Sequence, residues 1–170
     1  MLAVLAVGNN AYESNKDLCM AARAFGASSV TIAGRRNSRL IRECKAISSK
    51  WGGNFEVDFT KDWKRFVAKK KTYKVVYLTR FGVPINREIH NLKTYKNILL
   101  IVTLSESIKD VLKISDFNVS ITAQPHSSSA AVAIFLHSFY EGRELAMHFE
   151  NAKYRVVPSE GEIHIEKLKG

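Results

Sequence analysis

At 170 residues, with 46% hydrophobic and 25% charged side chains, the chain has the size and balance of one folded domain with a substantial core. It is too short for two ordinary enzyme domains and lacks the bias of a disordered tract. Twenty-six Lys and Arg against sixteen Asp and Glu give a net charge of +10, which admits a polyanion such as nucleic acid as partner without requiring one. Only Cys19 and Cys44 occur, neither in a Cys-x-x-Cys pair nor beside a histidine, which argues against a disulfide-dense scaffold or a cysteine zinc site and points to a reducing, cytoplasmic setting.

The opening apolar run, Leu2–Val7, meets Gly8, Asn9 and Asn10 too soon for a membrane span and has no basic leader, so it reads as a first buried strand with no membrane partner expected. Helical spacing follows at residues 18–25, closed by Gly26, and an apolar strand at residues 30–33. A second helix is predicted over Ser38–Trp51, closed by Gly52 and Gly53. Phe55, Val57 and Phe59 then alternate as in a half-exposed strand, and residues 61–68 read as a helix with Thr60 as its cap. Apolar runs at 75–78, 98–102 and 119–121 complete five or six strands. Most lack polar alternation, the signature of parallel strands covered on both faces. Arg35, Arg36, Arg39, Arg42 and Lys45 form one basic cluster and Lys61, Lys64, Arg65, Lys69, Lys70 and Lys71 another; solvated helix faces suffice to explain both.

The stretch from Phe117 to Glu141 is the strongest candidate for a ligand site. A short apolar strand enters a Gln124-Pro125-His126 turn, and Ser127, Ser128 and Ser129 start a helix rich in small residues, including Ala130, Ala131 and Ala133. Such a junction presents loop backbone groups and helix amides together. The serines are explained by capping alone, yet their amides stay free to meet a ligand. Beyond Gly142 a short helix over residues 143–149 precedes Tyr154–Val157 and residues 163–166, spaced as a terminal hairpin. Alternating strands and helices argue for a doubly wound α/β architecture with ligands at the carboxyl ends of the strands.

Several chemistries lose their footing. No Gly-x-Gly-x-x-Gly follows the first strand, and no Walker-type Gly-Lys-Ser, Gly-x-Ser-x-Gly or His-Glu-x-x-His is present. His90, His126, His137, His148 and His164 have no evident metal-ligand partners, so no metal is expected.

Several segments, in order over nearly the whole chain, resemble the archaeal tRNA 2'-O-methyltransferases that modify cytidine 56 in the T-loop, a branch of the knotted SPOUT methyltransferases. The matching pieces are Ala22-Arg23-Ala24-Phe25-Gly26-Ala27, Phe59-Thr60-Lys61-Asp62-Trp63-Lys64, Tyr77-Leu78-Thr79-Arg80-Phe81-Gly82-Val83-Pro84, and Asp116 to Ile121 running into Gln124-Pro125-His126-Ser127. Glu141-Gly142-Arg143-Glu144-Leu145 and Val156-Val157-Pro158 continue the match.

This resemblance implies a parallel-sheet SPOUT fold whose C-terminal region makes a deep trefoil knot, a feature rare enough that only the family match suggests it. It implies S-adenosylmethionine as cofactor, tRNA as substrate, and a homodimer whose interface helps form the active site. The methyltransferase domain would span residues 1–142, with residues 143–170 as an extension packed on it. Cofactor loops carried over by position comprise Leu78; Thr103, Leu104, Ser105, Glu106 and Ser107; and Ile121, Thr122, Ala123, Gln124, Pro125, His126, Ser127 and Ser128. Arg23, Asn118 and His126 are the candidates for positioning and electrostatic work.

The chain also departs from the pattern. An arginine-rich loop usual after the first strand is replaced by Asn9, Asn10, Ala11, Tyr12, Glu13 and Ser14, and a Gly-Asn before Gln-Pro-His by Thr122-Ala123. After the fifth strand Thr103-Leu104-Ser105-Glu106-Ser107 stands where a glycine and an acidic residue are common. The alternatives are a catalytically inactive SPOUT-fold RNA-binding protein and, more distantly, a small flavodoxin-like nucleotide binder.

Overall fold

A computed structural model describes residues 1–8, 11–104 and 109–168. Six parallel strands, β1 (Leu2–Val7), β2 (Ser29–Ala33), β3 (Glu56–Thr60), β4 (Lys74–Pro84), β5 (Ile98–Thr103) and β6 (Phe117–Ser120), lie in the order β3-β2-β1-β5-β4-β6. The central pair runs in register from Leu2 opposite Ile98 to Val7 opposite Thr103.

The lack of alternation in the strands has a direct cause in the packing. Leu2, Val4 and Ala6 face a core completed by α1 (Tyr12–Ala24), α2 (Ser38–Trp51) and α6 (Ser128–Tyr140), through Leu18, Leu40, Val132, Phe135 and Leu136. Ala3, Leu5 and Val7 face the opposite core, where α3 (Trp63–Lys69) and α5 (Lys109–Ile114) contribute Val67 and Val111. Every residue of β1 is buried, so both of its faces must be apolar. The remaining α4 (Ile85–Leu92) follows β4 directly, and a 3-10 turn at Arg143–Ala146 follows α6. The chain then forms an antiparallel hairpin of β7 (Tyr154–Val157) and β8 (His164–Lys167).

Four local expectations are corrected. The first helix begins at Tyr12 rather than residue 18, because its polar opening turn is held from outside: Lys16 pairs with Glu43 at 3.0 Å, and the Arg39 guanidinium lies 4.6 Å from the Tyr12 ring. In α3 the cap is Asp62, whose Oδ1 accepts the Arg65 amide at 2.9 Å; Thr60 instead accepts the amide of Asp62. The helix expected over 143–149 is a single 3-10 turn. Finally, α4 and α5 are additions to the expected elements.

The residues after Met147 pack on the ends of α1 and α2. Lys153 donates to the Lys50 carbonyl at 3.0 Å, Gly53 to Glu150 at 2.8 Å, and the Trp51 and Tyr154 rings are tilted 6.4 Å apart.

Candidate functional site

The middle of β4, the carboxyl end of β5 and the connection from β6 to α6 enclose a cleft of about 290 Å³. Leu78, Val102 and Ala131 form apolar walls, while Thr79, Thr103, His126 and Ser128 supply polar ones. A neighbouring hollow of about 320 Å³ shares Thr103, His126 and Ser128 and extends past Leu104, Ser127 and Ser129 to Ser14 and Asp17 of α1. His126 therefore stands at the junction of two spaces.

Local hydrogen bonds fix this junction. Ser127 is the N-cap of α6, its Oγ accepting the Ala130 amide at 3.2 Å, a contact of the kind that stabilises a helix by about 1 kcal/mol. Ser128 Oγ donates to the Thr103 carbonyl at 2.9 Å, tying the start of α6 to the end of β5. Thr103 Oγ1 in turn lies 3.3 Å from the Tyr77 hydroxyl. The Nδ1 atom of His126 is 3.2 Å from the Ser127 carbonyl. A carbonyl only accepts, so Nδ1 donates in this contact, which in the neutral imidazole leaves Nε2 as the acceptor.

The lip of the cleft comes from an irregularity in β4. Leu78 pairs with Val119 of β6, and Val83 pairs with Val119 again, with residues 79–82 between the two pairings. Gly82 is required there: a Cβ on it would lie 2.5 Å from the carbonyl carbon and oxygen of Asn118 and from the Val119 nitrogen. The Phe81 amide donates to Thr79 Oγ1 at 3.4 Å, folding the lip on itself.

The expected site residues separate into groups. Leu78, Thr103, Pro125, His126 and Ser128 line the first cleft, and Leu104 and Ser127 the second. Ile121, Thr122, Ala123 and Gln124 form the connection leading to them, where Thr122 Oγ1 accepts the Gln124 amide at 3.2 Å. Ser105, Glu106 and Ser107 lie outside the described residues. Arg23 is elsewhere: its Nη2 donates to the Gly52 carbonyl at 2.7 Å and its guanidinium lies 4.9 Å from the Phe149 ring. It ties α1 to the end of α2 and to the C-terminal segment, and burial lowers its pKa. Asn118 is on β6, its Nδ2 donating to the Leu112 carbonyl at 3.4 Å and its Oδ1 buried without a partner. Of the three catalytic candidates, only His126 lines the cleft.

Thr79, Arg80 and Phe81 were not among the expected site residues. Their signal is positional: they follow Leu78 at the end of the apolar run 75–78, where ligands gather in a parallel sheet. No group of three or more His, Cys, Asp or Glu able to hold a metal is found among the described residues, and no helix among them is long and apolar enough to cross a membrane.

This architecture defines the class of SpoU-type methyltransferase folds. The TrmH/SpoU tRNA modifying enzyme of A. aeolicus superposes with a TM-score of 0.61 at 16% identity, covering 85% of this chain and 76% of that one. The SpoU methyltransferase AviRb from Streptomyces viridochromogenes, solved in complex with the cofactor AdoMet, gives 0.64 at 12% identity over 84% of this chain and 57% of that one. At the level of sequence, residues 51–166 match the family model for the tRNA ribose 2'-O-methyltransferase aTrm56. The chain is 40% identical over 153 residues to the tRNA (cytidine(56)-2'-O)-methyltransferase of Methanopyrus kandleri, covering 89% of this chain and 86% of the relative. It is 33% identical over 168 residues to that of Thermococcus kodakarensis, covering 94% and 93%. The protein belongs to this tRNA ribose 2'-O-methyltransferase family.

Proposed function

We propose that the protein transfers a methyl group from S-adenosylmethionine to the ribose 2'-hydroxyl of cytidine 56 in tRNA, acting in the cytoplasm as a homodimer. The observation that carries this reading is the cleft itself, whose walls take Tyr77 to Phe81, Pro125 and His126 from two segments that resemble the family pattern. Its volume is close to the lower end of small-molecule sites, roughly 300 Å³. The walls fit the cofactor: Leu78, Val102 and Ala131 suit a flat adenine, and Thr103, Ser128 and neighbouring backbone groups suit its polar parts. Bound there, the cofactor supplies an electrophilic methyl group on a sulfonium.

The chain's own residues then have two tasks. Those lining the cleft orient the ribose so that its 2'-oxygen is in line with the methyl group. His126, with Nδ1 directed at the Ser127 carbonyl, presents Nε2 to take the hydroxyl proton as attack develops.

In this reading residues 1–142 are the methyltransferase body and residues 143–170 an extension on it. The deep trefoil knot belongs to this reading through the family alone; what the structure contributes is the irregular pairing of β4 with β6, where Leu78 and Val83 both pair with Val119 and Gly82 lies close to Asn118. The dimer is supported by α6, which is apolar on most sides yet leaves Ile134 47% exposed.

Incubation with labelled S-adenosylmethionine and an unmodified tRNA transcript should place label on the ribose of cytidine 56. His126→Ala should lower kcat by about 10²-fold or more while the fold is retained. The inactive RNA-binding reading is favoured by the absence of arginine from residues 9–14. Retained tRNA binding without label would decide for it.

A further inference from the structure

The lip formed by residues 79–82 carries two side chains that the reaction outlined above leaves without a task. Arg80 is exposed and makes no ion pair among the described residues. Phe81 is 74% exposed, with its ring centroid 5.6 Å from the Arg80 guanidinium carbon. Both line the cleft, and among the described residues Arg80 is the only lysine or arginine in the walls of either hollow. By contrast, Thr79 is buried and serves the lip internally through the Phe81 amide.

These two residue types are suited to two parts of one nucleotide. A guanidinium presents a planar fork of donors that matches a phosphate, and it stays charged at any working pH. An exposed aromatic ring offers a face to an unstacked base, which is how single-stranded loops of RNA are commonly held. Leaving a phenylalanine in water forgoes about 1.5–3 kcal/mol of burial, and stacking on a base at the mouth of the cleft would recover part of it.

We propose that Arg80 and Phe81 form the subsite for the target nucleotide, Arg80 pairing with a phosphodiester beside the reacting ribose and Phe81 stacking on the base. The proposal rests on the RNA methyltransferase reading above, and tRNA binding tests it separately from catalysis. Arg80→Ala should weaken tRNA binding about tenfold and reduce the slope of log affinity against log salt by about 0.7–0.9, the contribution of one phosphate contact. Arg80→Lys should restore that slope with only part of the affinity. Phe81→Ala should weaken tRNA binding by a similar factor with the slope unchanged, and Phe81→Tyr should restore it. S-adenosylmethionine affinity, read by calorimetry, should be unaltered in all four variants.

Unchanged tRNA affinity and slope in Arg80→Ala would overturn the assignment. Weakened cofactor binding would overturn it too, by giving Arg80 to the cofactor's carboxylate. Conversion of Phe81→Ala to monomer in sedimentation would assign the ring to the subunit interface instead. Failure of the methyltransferase reading would appear in the unsubstituted protein as tRNA binding without label, and these binding measurements would still decide the roles of both residues.

Discussion

Glu43 on α2 is where the outer ends of two helices are fastened. The Tyr12 hydroxyl, the Lys16 ammonium and the Arg39 guanidinium converge on its carboxylate and hold its pKa down at about 2. Lys16 Nζ lies 3.0 Å from Oε2 and Arg39 Nε 2.9 Å from Oε1. Because the folded pKa is below the unfolded value of about 4.3, this stabilisation is fully present above pH ~4.3 and is lost as pH falls toward 2. We expect Glu43→Gln to be less stable than the parent at pH 6 and the two denaturant midpoints to converge near pH 2. Parallel midpoints across that range would mean that the cluster contributes nothing specific to the folded state. The same cluster explains why α1 starts at Tyr12: a turn with little apolar content is kept helical by charges on its neighbour, a long-range cause that local periodicity does not contain.

At the scale of elements, the irregular pairing of β4 with β6 shapes the cleft, and Gly82 is its tightest point. Alanine there would set a Cβ 2.5 Å from three backbone atoms of Asn118 and Val119, none of which can rotate away as a side-chain tip could. Gly82→Ala should therefore cost about 1–3 kcal/mol in denaturant unfolding and weaken cofactor binding by moving the lip. A midpoint and affinity equal to the parent's would show that this close approach gives way without cost. Legibility in the sequence follows the same physics. The buried strands could be read because burial on both faces demands unbroken apolar runs, and α2 because helical spacing from Ser38 to Trp51 is closed by Gly52 and Gly53. The second half of β4 could not, since Thr79, Arg80 and Gly82 carry no strand pattern and lie between two pairings with β6 that only Val83 and Pro84 resume. Ile85, Ile89 and Leu92 do have helical spacing after Pro84, so α4 was available to a closer reading, whereas six residues of α5 are too few to set a period. His126 stands at the cleft where its place before a serine-capped helix puts it. Arg23 packs away from the cleft, because a sequence does not distinguish an arginine that reaches a cleft from one that satisfies a buried carbonyl.

Across the whole molecule, the net charge of +10 is not gathered at the cleft. Lys70, Lys71 and Lys96 surround a hollow of about 500 Å³ at the amino ends of β4 and β5, with Tyr73, Tyr95 and the Lys74–Asp116 pair in its walls. None of these three lysines has a carboxylate partner among the described residues, and Lys70 lies 4.8 Å from the Tyr73 ring. The four residue steps from Lys74 to Leu78 span about 13 Å along a strand, more than the screening length of about 8 Å at physiological salt. At about 10 mM salt that length grows to about 30 Å, and the whole molecule attracts RNA as one positive body. The double variant Lys70→Ala with Lys71→Ala should thus slow tRNA association severalfold at 10 mM salt, yet leave affinity at 150 mM within about twofold of the parent. Arg80→Ala, acting at contact distance, should weaken affinity at both. A tenfold loss for the lysine pair at 150 mM would instead require direct contact with phosphate, and the footprint of the RNA would then have to extend from the cleft to the opposite end of the sheet.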